Sequence, residues 1–173
     1  MKKLLLSVTL LALSCTSLAE PSTRAANLAA LNLGEALCYD ATVQLNKKTD
    51  VAKERAAETQ IAAALKGLGL RATEFDAADV CDRVLLFDFN MDNIGSPMIY
   101  KSSLSVESLV AVDSDVDINV ATVWEVLYWG GDRTQISTAE ASQLFNRKLT
   151  DALGHFKEDY RSLKAATSAG PST

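Results

Sequence analysis

The run Asp113-Ser114-Asp115-Val116-Asp117-Ile118-Asn119 sets oxygen-bearing side chains at every second position. Alternating oxygens open an EF-hand loop, where they wrap a calcium ion. The rest of that pattern does not follow. The sixth position, where the sharp turn needs glycine, is Ile118. The twelfth, where a bidentate glutamate belongs, is Trp124, with Glu125 one place late. The same carboxylates suit an acidic hairpin tip, whose like charges keep a sheet end soluble and unpaired with other chains. Asp113, Asp115 and Asp117 stand as metal candidates only of a loose, non-EF kind.

A second run, Asp88-Phe89-Asn90-Met91-Asp92-Asn93-Ile94-Gly95, repeats the alternation. Here the intervening Phe and Met residues are those of an amphipathic strand, with Asp88, Asn90 and Asp92 on its polar face. Were this strand beside the acidic turn, Asp88, Asp92, Asp113 and Asp115 would share one acidic surface.

Hydrolytic chemistry has little to build on. His155 is the single histidine. It flanks the apolar stripe of a helix beside Asp151, Glu158 and Asp159, a side read as solvated. There is no GxSxG, and no serine sits in a nucleophile-elbow context. A glycosidase needs two acids roughly 5 to 10 Å apart in a cleft. The acids exist, but no spacing marks a pair. No catalytic residue is assigned. Without GxGxxG or GxxxxGK, no nucleotide or other cofactor is expected.

The aromatic group Trp124, Tyr128 and Trp129 offers binding rather than catalysis. Alternation sets Trp124, Val126 and Tyr128 on one strand face, and Val123, Glu125, Leu127 and Trp129 on the other. With Val120, Trp124, Val126 and Tyr128 packed beneath helices, Leu127 and Trp129 are left exposed or covered by a partner, and form the candidate partner surface. The alternative is that Trp129 folds over the strand end and covers the core edge.

The address of the chain limits these choices. Lys2 and Lys3 precede an apolar run from Leu4 to Leu13, and Ser17-Leu18-Ala19 sets small residues where a signal peptidase reads. Residues 1–19 read as a secretory signal, too short to span a membrane stably. The expected location is the periplasm or the extracellular space of a bacterium. A cut before Cys15 with lipidation there is the minor route, because Ala12-Leu13-Ser14 departs from a lipobox at two positions. Cleavage after Ala19 removes Lys2 and Lys3 and leaves 15 basic against 22 acidic residues, a net charge of −7 in place of −5. An acidic chain with no Lys/Arg stripe suits neither nucleic acid nor an anionic membrane surface. No transmembrane segment is expected in the mature chain. Two cysteines remain, Cys38 and Cys81. In an oxidising compartment such a pair forms a disulfide, with two buried thiols or a metal pair as the alternatives, the latter disfavoured by a single histidine and no CxxC.

The elements that would position these residues follow from periodicity. Residues 24–33 suit a helical turn or an early strand. Strands are expected over 35–45, 70–75, 84–92, 98–112 and 116–129, with Gly130-Gly131-Asp132 ending the last. One helix spans 51–66, capped by Thr49 or Asp50 and stopped by Gly67 and Gly69. Another spans 137–164, opened by the capping box Ser137-Thr138-Ala139-Glu140. The order β-α-β-β-β-β-α predicts an α+β fold, with an antiparallel sheet of about five strands and two main helices packed on one face. The expected division is a signal at 1–19, a single domain at 20–164 and a flexible tail at 165–173.

Certain short motifs carry a resemblance: Ala64-Leu65-Lys66-Gly67-Leu68-Gly69-Leu70, Asp79 with Val84-Leu85-Leu86-Phe87, and Thr122-Val123-Trp124-Glu125. They resemble the helix, Leu-Gly, strand and Trp-Glu patterns of small bacterial envelope domains of the anticodon-binding-domain-like type, of the curli-secretion and TolB amino-terminal kinds. The resemblance implies binding or assembly in the cell envelope, without catalysis. The resulting expectation is an exported, non-enzymatic protein that binds or scaffolds a protein or other envelope component through its sheet face. The rival classes are a secreted hydrolase using paired carboxylates and a calcium-stabilised binding module.

Overall fold

The computed structural model describes residues 23–29, 37–75, 81–94, 97–111 and 118–168. The signal segment, Cys15, the turn carrying Asp113, Asp115 and Asp117, and residues 169–173 lie outside them. The elements run α1 (Thr23–Ala29), β1 (Leu37–Leu45), β2 (Lys48–Thr49), α2 (Val51–Gly67), β3 (Ala72–Glu74), β4 (Arg83–Asp92), β5 (Met98–Ala111), β6 (Ile118–Asp132) and α3 (Thr138–Ser168). The fold is α+β, as the periodicity predicts. Its six-stranded sheet has the order β2-β1-β4-β5-β6, with β3 beside β1.

The sheet is mixed rather than wholly antiparallel. β1 runs parallel to β4 and to β3, and only the pairs β1–β2, β4–β5 and β5–β6 are antiparallel. Alternation reports which face a side chain takes, not which strand lies beside it. The crossover through α2 supplies the reversal that a parallel neighbour needs. The two-residue β2 lies between the expected strand 35–45 and the expected helix 51–66. Asn46 and Lys47, at φ 54° and 63°, form the tight hairpin loop that pairs Leu45 with Lys48.

Local chemistry sets the helix ends. The Asp50 side chain accepts from Lys53 N at 3.1 Å and pairs with Lys53 Nζ at 2.7 Å. Those hydrogen bonds hold the Asp50 carboxyl below its ordinary value. At the other end of α2, Gly69 at φ 75° lets Leu70 N reach Leu65 O and its own N reach Lys66 O, both at 3.0 Å. That is a Schellman stop. α3 opens on a capping box: Glu140 N donates to Ser137 Oγ at 3.2 Å, and Ser137 N donates to Glu140 Oε2 at 2.8 Å. The helix then continues to Ser168, past the expected end at Lys164.

Cross-strand register gives the sheet two distinct faces. Leu85, Phe87, Phe89 and Met91 on β4, Leu104 and Val106 on β5, and Trp124 and Val126 on β6 are all buried on the helix side. α2 and α3 cover them, with Phe145 edge-on to Phe87 and Phe89, and Phe156 edge-on to Trp124 at 5.2 Å. Ala25 and Leu28 of α1 add to this layer against α3 and β6.

β6 differs from expectation at two places. A bulge beside Val106 and Glu107 leaves Val123 unpaired, because Val106 faces Trp124 while Glu107 faces Thr122. The extra residue flips everything before it, so Val120 turns away from the helices and is 55% exposed. At the far end, Gly130-Gly131-Asp132 continue the strand opposite Met98 to Tyr100. The glycines serve packing there. A Cβ on Gly130 would lie 2.9 Å from the Tyr100 ring, and one on Gly131 would lie 2.5 Å from the Met98 carbonyl oxygen.

Candidate partner-binding face

The face of the sheet opposite the helices is laid out in rows by the same register. One row reads Gln44, Asn90, Lys101, Trp129; the next reads Thr42, Asp88, Ser103, Leu127; a third reads Asp40, Leu86, Ser105, Glu125. Ser103 and Ser105 are buried by longer neighbours, so the centre of the face is low and polar. Its β5–β6 side is apolar and open. Trp129 is 81% exposed, Ile99 57% and Leu127 47%. Leu127 and Trp129 thus lie where alternation predicts. The indole of Trp129 stands away from the core edge rather than folding over it.

The polar half of the face carries its own electrostatics. Burial raises the Asp88 carboxyl above its ordinary value, and Lys101 partly opposes that rise. Asn90 Nδ2 donates to Gln44 Oε1 at 3.4 Å. A shallow depression of about 360 Å³ lies among Asp88, Asn90, Asp92, Ile99 and Lys101. Another of about 370 Å³ lies among Pro97, Ile99, Trp129, Gly131 and Arg133. Ile99 lines both. The face therefore presents an aromatic and aliphatic ridge beside hydrogen-bonding groups of both signs.

The remaining candidate residues fall apart. Asp92 pairs with Ile99, at the end of β5 remote from Ala111. Twelve residues of strand, roughly 40 Å, separate the two places. Asp113 and Asp115 lie outside the described residues, and with them the acidic surface expected to join Asp88 and Asp92. Among the described residues no three His, Cys, Asp or Glu side chains converge on a metal position. His155 is exposed on α3, beside a depression of about 430 Å³ lined by Tyr128, Asp151 and Glu158. Asp159 is not on that solvated side. It is 7% exposed, and its Oδ2 accepts from Trp124 Nε1 at 2.9 Å and Arg24 Nε at 2.5 Å. Two signals could have marked it: its position three residues after Phe156 on the apolar stripe, and the need of a buried indole N–H for an acceptor.

Tyr128 occupies the helix side of the same strand. Its Oη is buried with no hydrogen-bond partner among the described residues, and burial raises its pKa, with Asp151 adding to the rise. Lys148 Nζ sits 4.5 Å from its ring centroid and 5.9 Å from that of Tyr100. Cys38 and Cys81 form a disulfide, with Cα atoms 6.1 Å apart, that ties the start of β1 to the approach to β4. No helix among the described residues is long and apolar enough to cross a membrane.

No protein-family model matches the chain, and no curated protein matches it. Solved structures similar to it include a protein described as a neuraminyllactose-binding hemagglutinin homolog from Helicobacter pylori, at 12% identity and a TM-score of 0.43, covering 79% of this chain and 91% of that one. A PelC dodecamer from Paraburkholderia phytofirmans is similar at 13% identity and a TM-score of 0.39, covering 70% and 87%. A DUF330 protein from Xanthomonas campestris is similar at 13% and 0.40, covering 78% and 88%.

Proposed function

We propose that this chain is a non-enzymatic binding module of the bacterial envelope, exported to an oxidising compartment, and that it takes a protein or other envelope component on the open face of its sheet. The observation that carries this reading is Trp129, 81% exposed beside Leu127 and Ile99 on the face that no described helix covers. Exposing a large aromatic ring costs solvation free energy that a soluble domain has no reason to retain, and contiguous exposed apolar side chains mark interaction sites. The disulfide between Cys38 and Cys81 supports the oxidising compartment. The resemblance to small envelope domains points the same way.

The test is a paired capture from envelope extract with the purified chain from Glu20 onward, as the natural sequence and as Trp129→Ser. A component retained by the first and lost by the second supports the reading. Hydrolysis of a glycoside or ester from a substrate panel, with no retained component, would replace it with the hydrolase alternative.

A further inference from the structure

β6 is an edge strand of 15 residues, and among the described residues it pairs with β5 alone. The other edge is guarded. Among the described residues, only the two-residue β2 and the three-residue β3 lie along the far side of β1. Short edge strands resist pairing with another chain, and natural sheets blunt long edges with proline, lysine or a bulge. β6 has no proline and no lysine, and its bulge at Val123 lies near its start. Beyond the bulge, Trp124 to Asp132 is a regular strand whose outward backbone N–H and C=O groups are taken by no other strand among the described residues.

We infer that this edge pairs antiparallel with β6 of a second copy of the chain, about a two-fold axis at Tyr128. Register sets the axis, and the strand's own side chains suit a second copy as the occupant. A pairing centred between two residues would oppose outer-face with helix-side side chains and throw the two helix layers to opposite faces. Centring on Glu125 sets two carboxylates together. Centring on Val126 or Leu127 sets Glu125 against an apolar side chain. Centring on Tyr128 pairs the whole regular segment with itself, because Tyr128 is its midpoint. Trp129 then lies opposite Leu127 of the second copy, twice over, and Glu125 lies opposite Gly131. Aromatic–aliphatic cross-strand pairs of this kind stabilise sheets, and no like charges oppose. The interface is isologous and closes as a dimer. Both helix layers lie on one side, and the two open faces join into one.

This pairing concerns the strand edge and does not depend on the binding role proposed for the face. It is tested with the chain from Glu20 onward by light scattering after gel filtration over a concentration series. The expected result is a concentration-dependent dimer that Leu127→Lys weakens at least about ten-fold, by setting a charge beside the edge. Ile99→Lys, on the same face but on β5, leaves the dimer unchanged. A mixture of Leu127→Cys and Trp129→Cys chains, oxidised by air with copper–phenanthroline, gives more covalent dimer than either variant alone. A monomer at every concentration up to about 200 µM, an association weaker than roughly −5 kcal/mol, overturns the inference. So does equal weakening by Ile99→Lys, which would indicate face-to-face packing. So does a covalent dimer no more abundant in the mixture than from Val120→Cys alone.

Discussion

Trp124 and Asp159 are joined by a buried hydrogen bond of 2.9 Å from the indole Nε1 to Oδ2. The same carboxylate oxygen takes Arg24 Nε, and the Arg24 guanidinium lies 5.5 Å from the Trp124 ring centroid. Three elements meet there: the short first helix, the edge strand and the long last helix. The contact therefore anchors β6 from the helix side while Trp129, five residues on, faces outward on the same strand. Asp159→Ala leaves an indole donor and a guanidinium without their acceptor, and should cost about 2–3 kcal/mol in denaturant unfolding. Trp124→Phe should cost less through the hydrogen bond but more through packing against Phe156. A double-mutant cycle that returns no coupling between the two sites would contradict this assignment.

Asp88 predicts a pH dependence of definite sign. Its folded pKa is raised above its ordinary value by burial. The group therefore favours the folded state below its unfolded pKa, and that contribution is lost as pH rises through the folded pKa. Asp88→Asn should raise the Tm at pH 7 and leave it unchanged near pH 3. An equal shift at both pH values would show that burial of the charge is not the cause.

Asp50 behaves in the opposite sense. Its folded pKa is lowered, first by the Lys53 side-chain hydrogen bond. Its contribution is present above the unfolded pKa and lost as pH falls through the folded pKa. Asp50→Ala removes the cap of α2 and should cost about 1 kcal/mol at pH 7, and less at pH 2. Urea titrations at the two pH values measure the difference.

Gly131→Ala should be costly for a reason unrelated to strand propensity. The added Cβ would lie 2.5 Å from the Met98 carbonyl oxygen, which is backbone and has no room to move. The β5–β6 pairing at Met98–Asp132 must open, at roughly 1–3 kcal/mol. Gly130→Ala meets the Tyr100 ring instead, a side chain able to shift, and should cost less. Reversal of that order would mean that the close approach is not what requires glycine.

Removal of the disulfide by Cys38→Ser with Cys81→Ser frees a loop of 43 residues. In the chain-entropy model this costs on the order of 4 kcal/mol. A midpoint in denaturant unchanged by the substitutions would contradict a stabilising bond.

Much of this was legible in the residues. Ser137 and Glu140, Asp50, and Gly69 fix the helix ends by local rules, and alternation assigns Leu127 and Trp129 to the open face. Three kinds of information were not local. The bulge at Val123 arises from pairing with β5, and a single strand's pattern does not show it, so alternation alone puts Val120 on the helix side. The parallel placement of β1 beside β4 depends on strand order, which periodicity does not encode. Asp159 reads as a solvated acid until Trp124 and Arg24 are brought to it from 35 and 135 residues away.

The most direct test of the open face is photocrosslinking from defined positions. A benzophenone side chain replaces Trp129 in one chain and His155, exposed on the helix side, in another. Each is irradiated in envelope extract. The account predicts an adduct with an envelope component other than this chain from position 129 and none from position 155. Adducts from position 155 alone would place the binding surface on the helices and contradict it.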